Sequence, residues 1–176
     1  MSKISRKTRE TEIEVEFPAQ AAISTIETTV PFLDHMLATL ARYSGHRLVV
    51  KATGDLPHHL IEDVAIALGA AVAVERERPI ERFGHQVIPM DDALVEASLD
   101  LGGRAYYRGP IPSSLYDHWM RSFAENAGAT LHLRVLRGQD RHHIVEAAFK
   151  ALGRALGQAL SACEDTMSTK GAVRLA

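Results

Sequence analysis

The chain has 176 residues, of which 46% are hydrophobic and 24% are charged, and its formal net charge at pH 7 is −2. This length fits one compact domain, or two small halves that share a core. The near-neutral charge gives no electrostatic basis for binding nucleic acid or a membrane surface. The single cysteine, Cys163, excludes an internal disulfide framework and fits a reducing compartment.

The N-terminal segment contains no apolar stretch of the kind found in signal peptides. The longest nearly continuous apolar run, residues 64–74, is shorter than the about 20 residues that cross a bilayer. The sequence therefore predicts a soluble, cytoplasmic protein that binds neither nucleic acid nor a membrane.

The first half of the chain alternates between strand and helix patterns. "TEIEVEF" places apolar and acidic side chains on opposite faces, as in a half-buried strand. Proline and glycine mark the two ends of the next helical pattern. In chain order, the half predicts strands over residues 11–17 and 22–28, a helix from Pro31 that ends at Gly45, a strand over 47–53 and an amphipathic helix from His59 that ends before Pro79.

The second half repeats this order. It predicts strands over residues 85–90, 94–101 and 104–109, a helix over 114–128, a strand over 130–136 and a long helix over 142–160. No low-complexity linker separates the halves. The sequence therefore predicts an α+β fold with an internal duplication, in which two similar β-β-α-β-α-type halves cover about residues 1–80 and 81–176.

The duplication includes an unusual set of histidines. His-His-x-x-Glu occurs at residues 58–62 and again at 142–146, 84 positions apart. His35, in "LDHM", precedes the first pair by 23 residues, and His118, in "YDHW", precedes the second pair by 24. A repeat that keeps polar residues at matching positions indicates a site that is built twice.

Helix geometry predicts how these side chains are shared. Residues three or four apart lie on one helix face, so each glutamate can share a face with a histidine of its pair, while adjacent residues diverge by about 100°. The two histidines of a pair are therefore expected to serve different metal ions. Six imidazoles and two carboxylates divide into two sites of three imidazoles and one carboxylate. The predicted ligands are His35, His58, His59, Glu62, His118, His142, His143 and Glu146.

A ligand set without thiolate suits Mn, Fe, Zn, Co or Ni with an open coordination position, and it is a poor match to structural zinc. One isolated His-His-x-x-Glu is more typical of solvated or capping histidines, but the second copy at matched spacing favours metal binding. Asp34 and Asp117, which precede their histidines, are either helix caps or carboxylates that hold an imidazole tautomer.

Cationic residues form a second and weaker pattern. An arginine fork matches the geometry of phosphate, and hydroxyl and amide donors can complete an anion site. Each candidate alone is more typical of a surface charge. The candidates are Arg82, Arg104, Lys150 and the segment Ser168–Gly171.

Several segments together resemble one known family, the imidazoleglycerol-phosphate dehydratases. In family order, the chain contains "FLDHML", "HHLIEDVAIALGAA", "IPMDDAL", "LDLGGRAYY", "NAGATLHLRVLRG", "HHIVEAAFKALGRAL" and "STKG". "RKTRETEI" resembles the family's opening strand. The resemblance implies a single dehydratase domain over residues 1–176, with sheets covered by helices on one side (ribosomal protein S5 domain 2-like). It also implies self-association through trimers into a 24-subunit shell, with active sites at subunit boundaries.

The resemblance implies a manganese-dependent hydro-lyase of histidine biosynthesis. It would convert D-erythro-imidazole-glycerol phosphate to imidazole-acetol phosphate, using two Mn²⁺ per active site. The family's metal ligands fall on the same eight residues. Its phosphate contacts fall on Arg82, Arg104, Lys150, Ser168 and Lys170. Its acid–base carboxylate falls on Glu10, so that the implied catalytic set is Glu10, His59, Glu62, His143 and Glu146.

Two other functions are compatible with the duplicated ligands. One is a metal-dependent hydrolase of a phosphorylated small molecule, which would release inorganic phosphate. The other is a non-enzymatic assembly protein, in which the metal ions only join subunits. The chain also departs from the family's usual pattern, because "GDLPHH" before the first histidine pair is about three residues shorter.

Overall fold

The computed structural model describes residues 2–164, and these form two four-stranded sheets and four long helices. The first sheet has the strand order β1-β2-β4-β3 and the second has the order β5-β6-β8-β7. In each sheet the last two strands are parallel and the other neighbours are antiparallel. The elements are β1 (Ser2–Lys7), β2 (Thr11–Phe17), β3 (Thr25–Glu27), α1 (Pro31–Ser44), β4 (Val49–Gly54), α2 (Pro57–Glu75), β5 (Phe83–Met90), β6 (Ala93–Asp100), β7 (Tyr106–Arg108), α3 (Ser114–Ala127), β8 (Thr130–Arg137) and α4 (Arg141–Ala159).

The strands bury one face, as their alternating sequences predict. In β2, Ile13, Val15 and Phe17 are fully buried, while Glu12 and Glu14 are exposed. The same alternation in β6 buries Ala93, Val95, Ala97 and Leu99. One continuous hydrophobic core runs through both halves and lies between the sheets and the helices. The expected α+β duplication with helices on one side of each sheet is confirmed.

The ends of the helices follow from local sequence signals. Pro31 occupies the first turn of α1, and Gly45 ends it with a φ of 74°. Gly128 ends α3 in the same left-handed conformation, with a φ of 59°. At the start of α4, the Asp140 carboxylate accepts hydrogen bonds from the backbone N–H groups of His142 and His143. This cap holds the second histidine pair at the exposed start of its helix.

The second helix of each half crosses the first helix of the other half, so α2 packs on α3 and α4 packs on α1. Gly69 and Gly153 lie at equivalent positions at these two crossings. A Cβ atom on Gly69 would lie 2.6 Å from the Phe123 carbonyl oxygen, and one on Gly153 would lie 2.8 Å from the Leu40 carbonyl oxygen. The glycines permit the close approach that brings His118 towards the start of α2 and His35 towards the start of α4.

We expect Gly69→Ala to lower the free energy of unfolding by about 1–3 kcal/mol, because the added methyl group would overpack the crossing of α2 and α3. Alanine usually stabilises a helix interior relative to glycine, so a loss of stability in this variant would have to come from the close contact between α2 and α3. Val74→Ala, at an exposed position of the same helix, serves as the control. Chemical denaturation measures both variants. Equal or greater stability of Gly69→Ala would contradict the tight crossing.

The structure differs from the sequence prediction in three places. Strand β1 was not predicted, since "SKISRK" contains one apolar residue, Ile4, and no clear alternation. The strands expected over residues 22–28 and 104–109 shrink to three residues each. Helix α2 begins two residues earlier than expected, at Pro57. Each half therefore has three strands before its first helix. The sequence predicted three in the second half but only two in the first.

Among residues 2–164, α2 is long and apolar enough to cross a membrane by length and composition alone. Eleven of its nineteen residues are buried in this structure, where the helix packs on β1, β2 and α3. Its composition is that of a core helix.

Candidate active site

The first cluster of candidate ligands joins the two halves of the chain. His35, from α1, places its Nε2 atom 3.3 Å from Oε2 of Glu146, from α4. His142, one turn before Glu146, places its Nε2 atom 3.2 Å from the same oxygen. One ligand atom from each residue lies within 4.8 Å of the others, which is close enough for a single metal ion to be bound by all three. The α1–α4 crossing therefore builds this cluster.

Glu146 is the buried centre of the cluster. Burial alone would raise its pKa, but hydrogen bonds from Lys150 and His35 outweigh that effect, so its pKa lies below the ordinary value. Lys150 places its Nζ atom 3.0 Å from the second carboxylate oxygen, Oε1. Glu146 is therefore held as a carboxylate, which is the protonation state that binds a cation.

The second cluster is the counterpart of the first across the duplication. His118, from α3, places Nε2 3.2 Å from Oε1 of Glu62, from α2. Here the His58 ring lies against the His59 ring, with 4.1 Å between their centroids. The structure therefore brings His118 to Glu62 of the other half, and a rotation of the exposed His58 side chain would be needed to complete the set.

The second histidine of each pair has a carboxylate partner of its own. His59 Nδ1 lies 2.9 Å from Asp55 Oδ1 and 3.6 Å from Glu10 Oε2. His143 Nδ1 lies 2.7 Å from Asp92 Oδ1. The hydrogen bond that His59 donates to Asp55 raises the pKa of His59, and the one that His143 donates to Asp92 raises the pKa of His143. These contacts fix the ring orientation, as carboxylate partners of ligand histidines do.

The number of ligands that one chain supplies to each cluster depends on where the second histidine of each pair lies. His59 and His143 contact carboxylates outside the two glutamate-centred clusters. Within one copy, over the part of the chain that the structure describes, the first cluster offers two imidazoles and one carboxylate. The division into three imidazoles and one carboxylate per site stays a prediction.

Sequence reasoning did not single out Asp55, Asp91 or Asp92 as partners of the site. Each lies in a turn. Asp55 contacts His59 four residues later, so its spacing could have indicated the contact, whereas the fold brings Asp91 and Asp92 to His143, at 3.6 and 2.7 Å. Asp34 and Asp117 have a different role from an imidazole partner: Asp34 Oδ1 accepts from the backbone N–H and the hydroxyl of Thr28, at 2.9 and 2.6 Å. Asp117 Oδ1 accepts from the Tyr107 hydroxyl and from the backbone N–H of Ile111. Both carboxylates anchor the loop before their helix.

The candidate phosphate contacts are scattered. Lys150 lies beside the first cluster, between Glu146 and the sulfur of Met90. Arg82 donates from Nε and Nη2 to the two carboxylate oxygens of Asp100, at 2.6 and 2.9 Å, so this fork is engaged by a carboxylate. Arg104 is exposed in the turn before β7. Ser168 and Lys170 lie outside the described residues.

A cavity of about 730 Å³ opens beside the first cluster and includes His35 in its wall. Arg42, Arg47 and His46 also line it, and the sequence did not single out any of these as candidate site residues. The cavity offers cationic side chains within reach of a candidate metal ligand, as a small anionic substrate would require.

The sequence of the chain is similar to those of known proteins. Residues 28–156 match the family described as Imidazoleglycerol-phosphate dehydratase. The chain is 49% identical to the Pyrobaculum aerophilum imidazoleglycerol-phosphate dehydratase, over 94% of this chain and 96% of that protein. It is 44% identical to the Methanoculleus marisnigri enzyme of the same name, over 98% of each.

Solved structures of this family have the same fold. A crystal structure of the Pyrococcus furiosus protein aligns with a TM-score of 0.88 at 40% identity, over 97% of this chain and 100% of that one. The Staphylococcus aureus protein aligns with a TM-score of 0.82 at 32% identity, over 93% of this chain and 100% of that one. The chain therefore belongs to the imidazoleglycerol-phosphate dehydratase family.

Proposed function

We propose that the chain dehydrates D-erythro-imidazole-glycerol phosphate to imidazole-acetol phosphate, with two Mn²⁺ per active site. Membership of the family supports the reaction, so the chain is a hydro-lyase of histidine biosynthesis that acts on a small phosphorylated substrate. One observation carries the metal proposal: the buried Glu146 carboxylate lies within 3.3 Å of the Nε2 atoms of both His35 and His142.

The donor set fits a divalent transition metal. Imidazole nitrogens and carboxylate oxygens, without thiolate, suit manganese among the metals that tolerate open positions. His35, His142 and Glu146 would hold one ion, and His118, Glu62 and His58 would contribute to the other. When bound, such an ion supplies a Lewis acid that stabilises negative charge on the substrate's imidazole ring.

The chain's own residues would perform the proton transfer. Glu10 lies in the turn after β1 with its carboxylate 3.6 Å from His59 Nδ1, and it is the candidate acid–base group. The phosphate end of the substrate would be met by cationic side chains. Lys150 is the candidate that lies beside a metal cluster, and the proposed roles of Arg82, Arg104, Ser168 and Lys170 are carried over from the family.

We infer that the sites are completed by other copies of the chain. The Nδ1 atoms of His59 and His143 contact Asp55 and Asp92, which lie outside the glutamate-centred clusters, and this supports a role for the two imidazoles in the sites of neighbouring copies. Assembly through trimers into a closed 24-subunit shell, as expected from the family, would supply such a neighbour. We also infer that the whole chain forms a single domain of two repeats, because one core joins the halves. We infer a cytoplasmic location for this biosynthetic enzyme.

Complementation tests the shared sites. The His35→Ala protein and the His143→Ala protein should each have no turnover, because every active site of either variant lacks one metal ligand. A co-expressed one-to-one mixture should recover roughly a quarter of wild-type activity, if the two ligands of a site come from different copies that mix at random. Metal analysis of each variant is the control. A mixture as inactive as the single variants would show that both residues serve one site from the same copy.

Chelation separates the proposed enzyme from the two alternatives. We expect EDTA to abolish turnover and to reduce the mass measured by light scattering, and we expect Mn²⁺ to restore both. A hydrolase would release inorganic phosphate from the substrate, whereas dehydration yields an enolisable ketone with the phosphate retained. An assembly protein would lose mass and would have no turnover to lose.

A further inference from the structure

A buried carboxylate fastens the turn that carries Glu10. The hydroxyl of Thr11 donates to Oδ2 of Asp63, and Nη2 of Arg6 lies 3.0 Å from Oδ1 of the same carboxylate. Thr11 and Asp63 are 4% and 8% exposed, so this contact is formed away from solvent. It joins both strands of the β1–β2 hairpin to helix α2, which carries the first histidine pair.

The hydrogen bonds within the turn continue from this carboxylate to Glu10. The Thr11 hydroxyl is committed as a donor to Asp63, so in its 3.0 Å contact with Thr8 it must accept. Thr8 Oγ1 is then free to accept the backbone N–H groups of Glu10 and Thr11, at 3.1 and 2.9 Å. The Glu10 carbonyl accepts from the backbone N–H of Asp55 at 3.0 Å. Both backbone polar groups of Glu10 are thereby held.

The other half of the chain has alanines at the positions that correspond to Thr11 and Asp63, and there Asp92 of the β5–β6 turn accepts the backbone N–H groups of Gln139 and Asp140. Ala147 lies 84 positions after Asp63 in the repeat, and Ala93 begins β6 as Thr11 begins β2. Both alanines are buried. Packing of the strand against the helix at these two positions therefore does not require a carboxylate, and a buried carboxylate is costly to desolvate compared with apolar packing. The buried threonine and carboxylate therefore occur in the half whose β1–β2 turn contains Glu10, the acid–base candidate.

We propose that Asp63 is a positioning residue: through Thr11 and Arg6 it fixes the β1–β2 turn so that the Glu10 carboxylate faces His59 and the substrate. This inference rests on the proposed role of Glu10 and adds the means by which that carboxylate is held. A small displacement of an acid–base group lowers the rate of the chemical step more than it lowers substrate binding.

The test uses the Mn²⁺-loaded enzyme. We expect Thr11→Val and Asp63→Asn each to lower kcat about 10- to 100-fold with KM and metal content within twofold of wild type. Thr11→Ser keeps the hydroxyl and should retain kcat within about threefold. Glu75→Gln is the matched control, because Glu75 is another buried carboxylate of α2, bonded to Ser2 and Arg78 at the far end of the helix. It should alter stability and leave kcat unchanged.

A double-mutant cycle distinguishes positioning from general weakening of the fold. If Asp63 acts through Glu10, Thr11→Val should cost no further kcat in a Glu10→Gln background. Wild-type kcat in both Thr11→Val and Asp63→Asn, or an undiminished cost in the Glu10→Gln background, would overturn the inference while leaving the role of Glu10 intact. Full activity of Glu10→Gln alone would instead remove the acid–base assignment on which the inference depends.

Discussion

Replacing Glu146 with glutamine should remove one metal ion per chain and lower kcat/KM on the order of 1,000-fold or more. The amide keeps the volume of the side chain but lacks the negative charge that His35, His142 and Lys150 surround. The partly buried ammonium of Lys150 would then lose its counter-charge, and a divalent ion would meet an amide beside a cation in place of a carboxylate.

Two measurements decide this prediction, namely metal per chain by elemental analysis and turnover at saturating Mn²⁺. Glu96→Gln is a suitable control, because Glu96 lies on the second sheet and pairs with Arg134 at 3.3 Å, in a contact outside both ligand clusters. Its metal content and turnover should match those of the wild type. A Glu146→Gln protein that retained two ions per chain and normal turnover would remove Glu146 from the metal site.

Replacing Glu10 with glutamine should lower kcat about 100- to 10,000-fold, which is the range expected when a general acid–base group is lost. In contrast to the Glu146 variant, metal content and solution mass should stay unchanged, because Glu10 is an exposed residue of the turn after β1 and has no role in the glutamate-centred clusters. The two variants therefore separate metal binding from proton transfer.

The neighbouring strand residue supplies the control for Glu10. Glu12 is an exposed carboxylate of β2 that pairs with Lys7 at 3.0 Å, and Glu12→Gln should leave kcat within about twofold of wild type, as an exposed ion pair contributes little. Steady-state kinetics on the Mn²⁺-loaded proteins gives the comparison. A normal kcat for Glu10→Gln would transfer the acid–base role to another residue. Loss of metal in that variant would make Glu10 part of the metal site.

The elements could be predicted where one local signal dominated. The alternation of β2, the proline at the start of α1 and the glycines that end α1 and α3 each gave the observed element. Strand β1 could not be recognised, because its side chains are mostly polar and its place depends on pairing with β2. Pairing with a distant strand is a tertiary effect that local propensity does not contain.

The candidate ligands could be listed from spacing, but their grouping could not. Sequence distance associates His35 with the pair that follows it 23 residues later, whereas the fold places it against Glu146 of the other half. The reason lies in the crossings, where Gly69 and Gly153 allow helices of opposite halves to approach. A helical glycine in a sequence predicts no particular partner helix. The aspartate that holds His143 was missed for the same reason, since Asp92 lies 51 positions before it and meets it only after folding. Asp55 lies four residues before His59, and that spacing was the signal that could have identified it.

Diffraction at the manganese absorption edge, on crystals of the active enzyme grown with Mn²⁺, tests the central claim most directly. We expect two anomalous peaks per chain: one within bonding distance of His35, His142 and Glu146, and one beside His118 and Glu62 with His58 rotated towards it. Each should also be met by a histidine of a neighbouring copy. Crystals of active enzyme with no anomalous density beside these side chains would contradict the account.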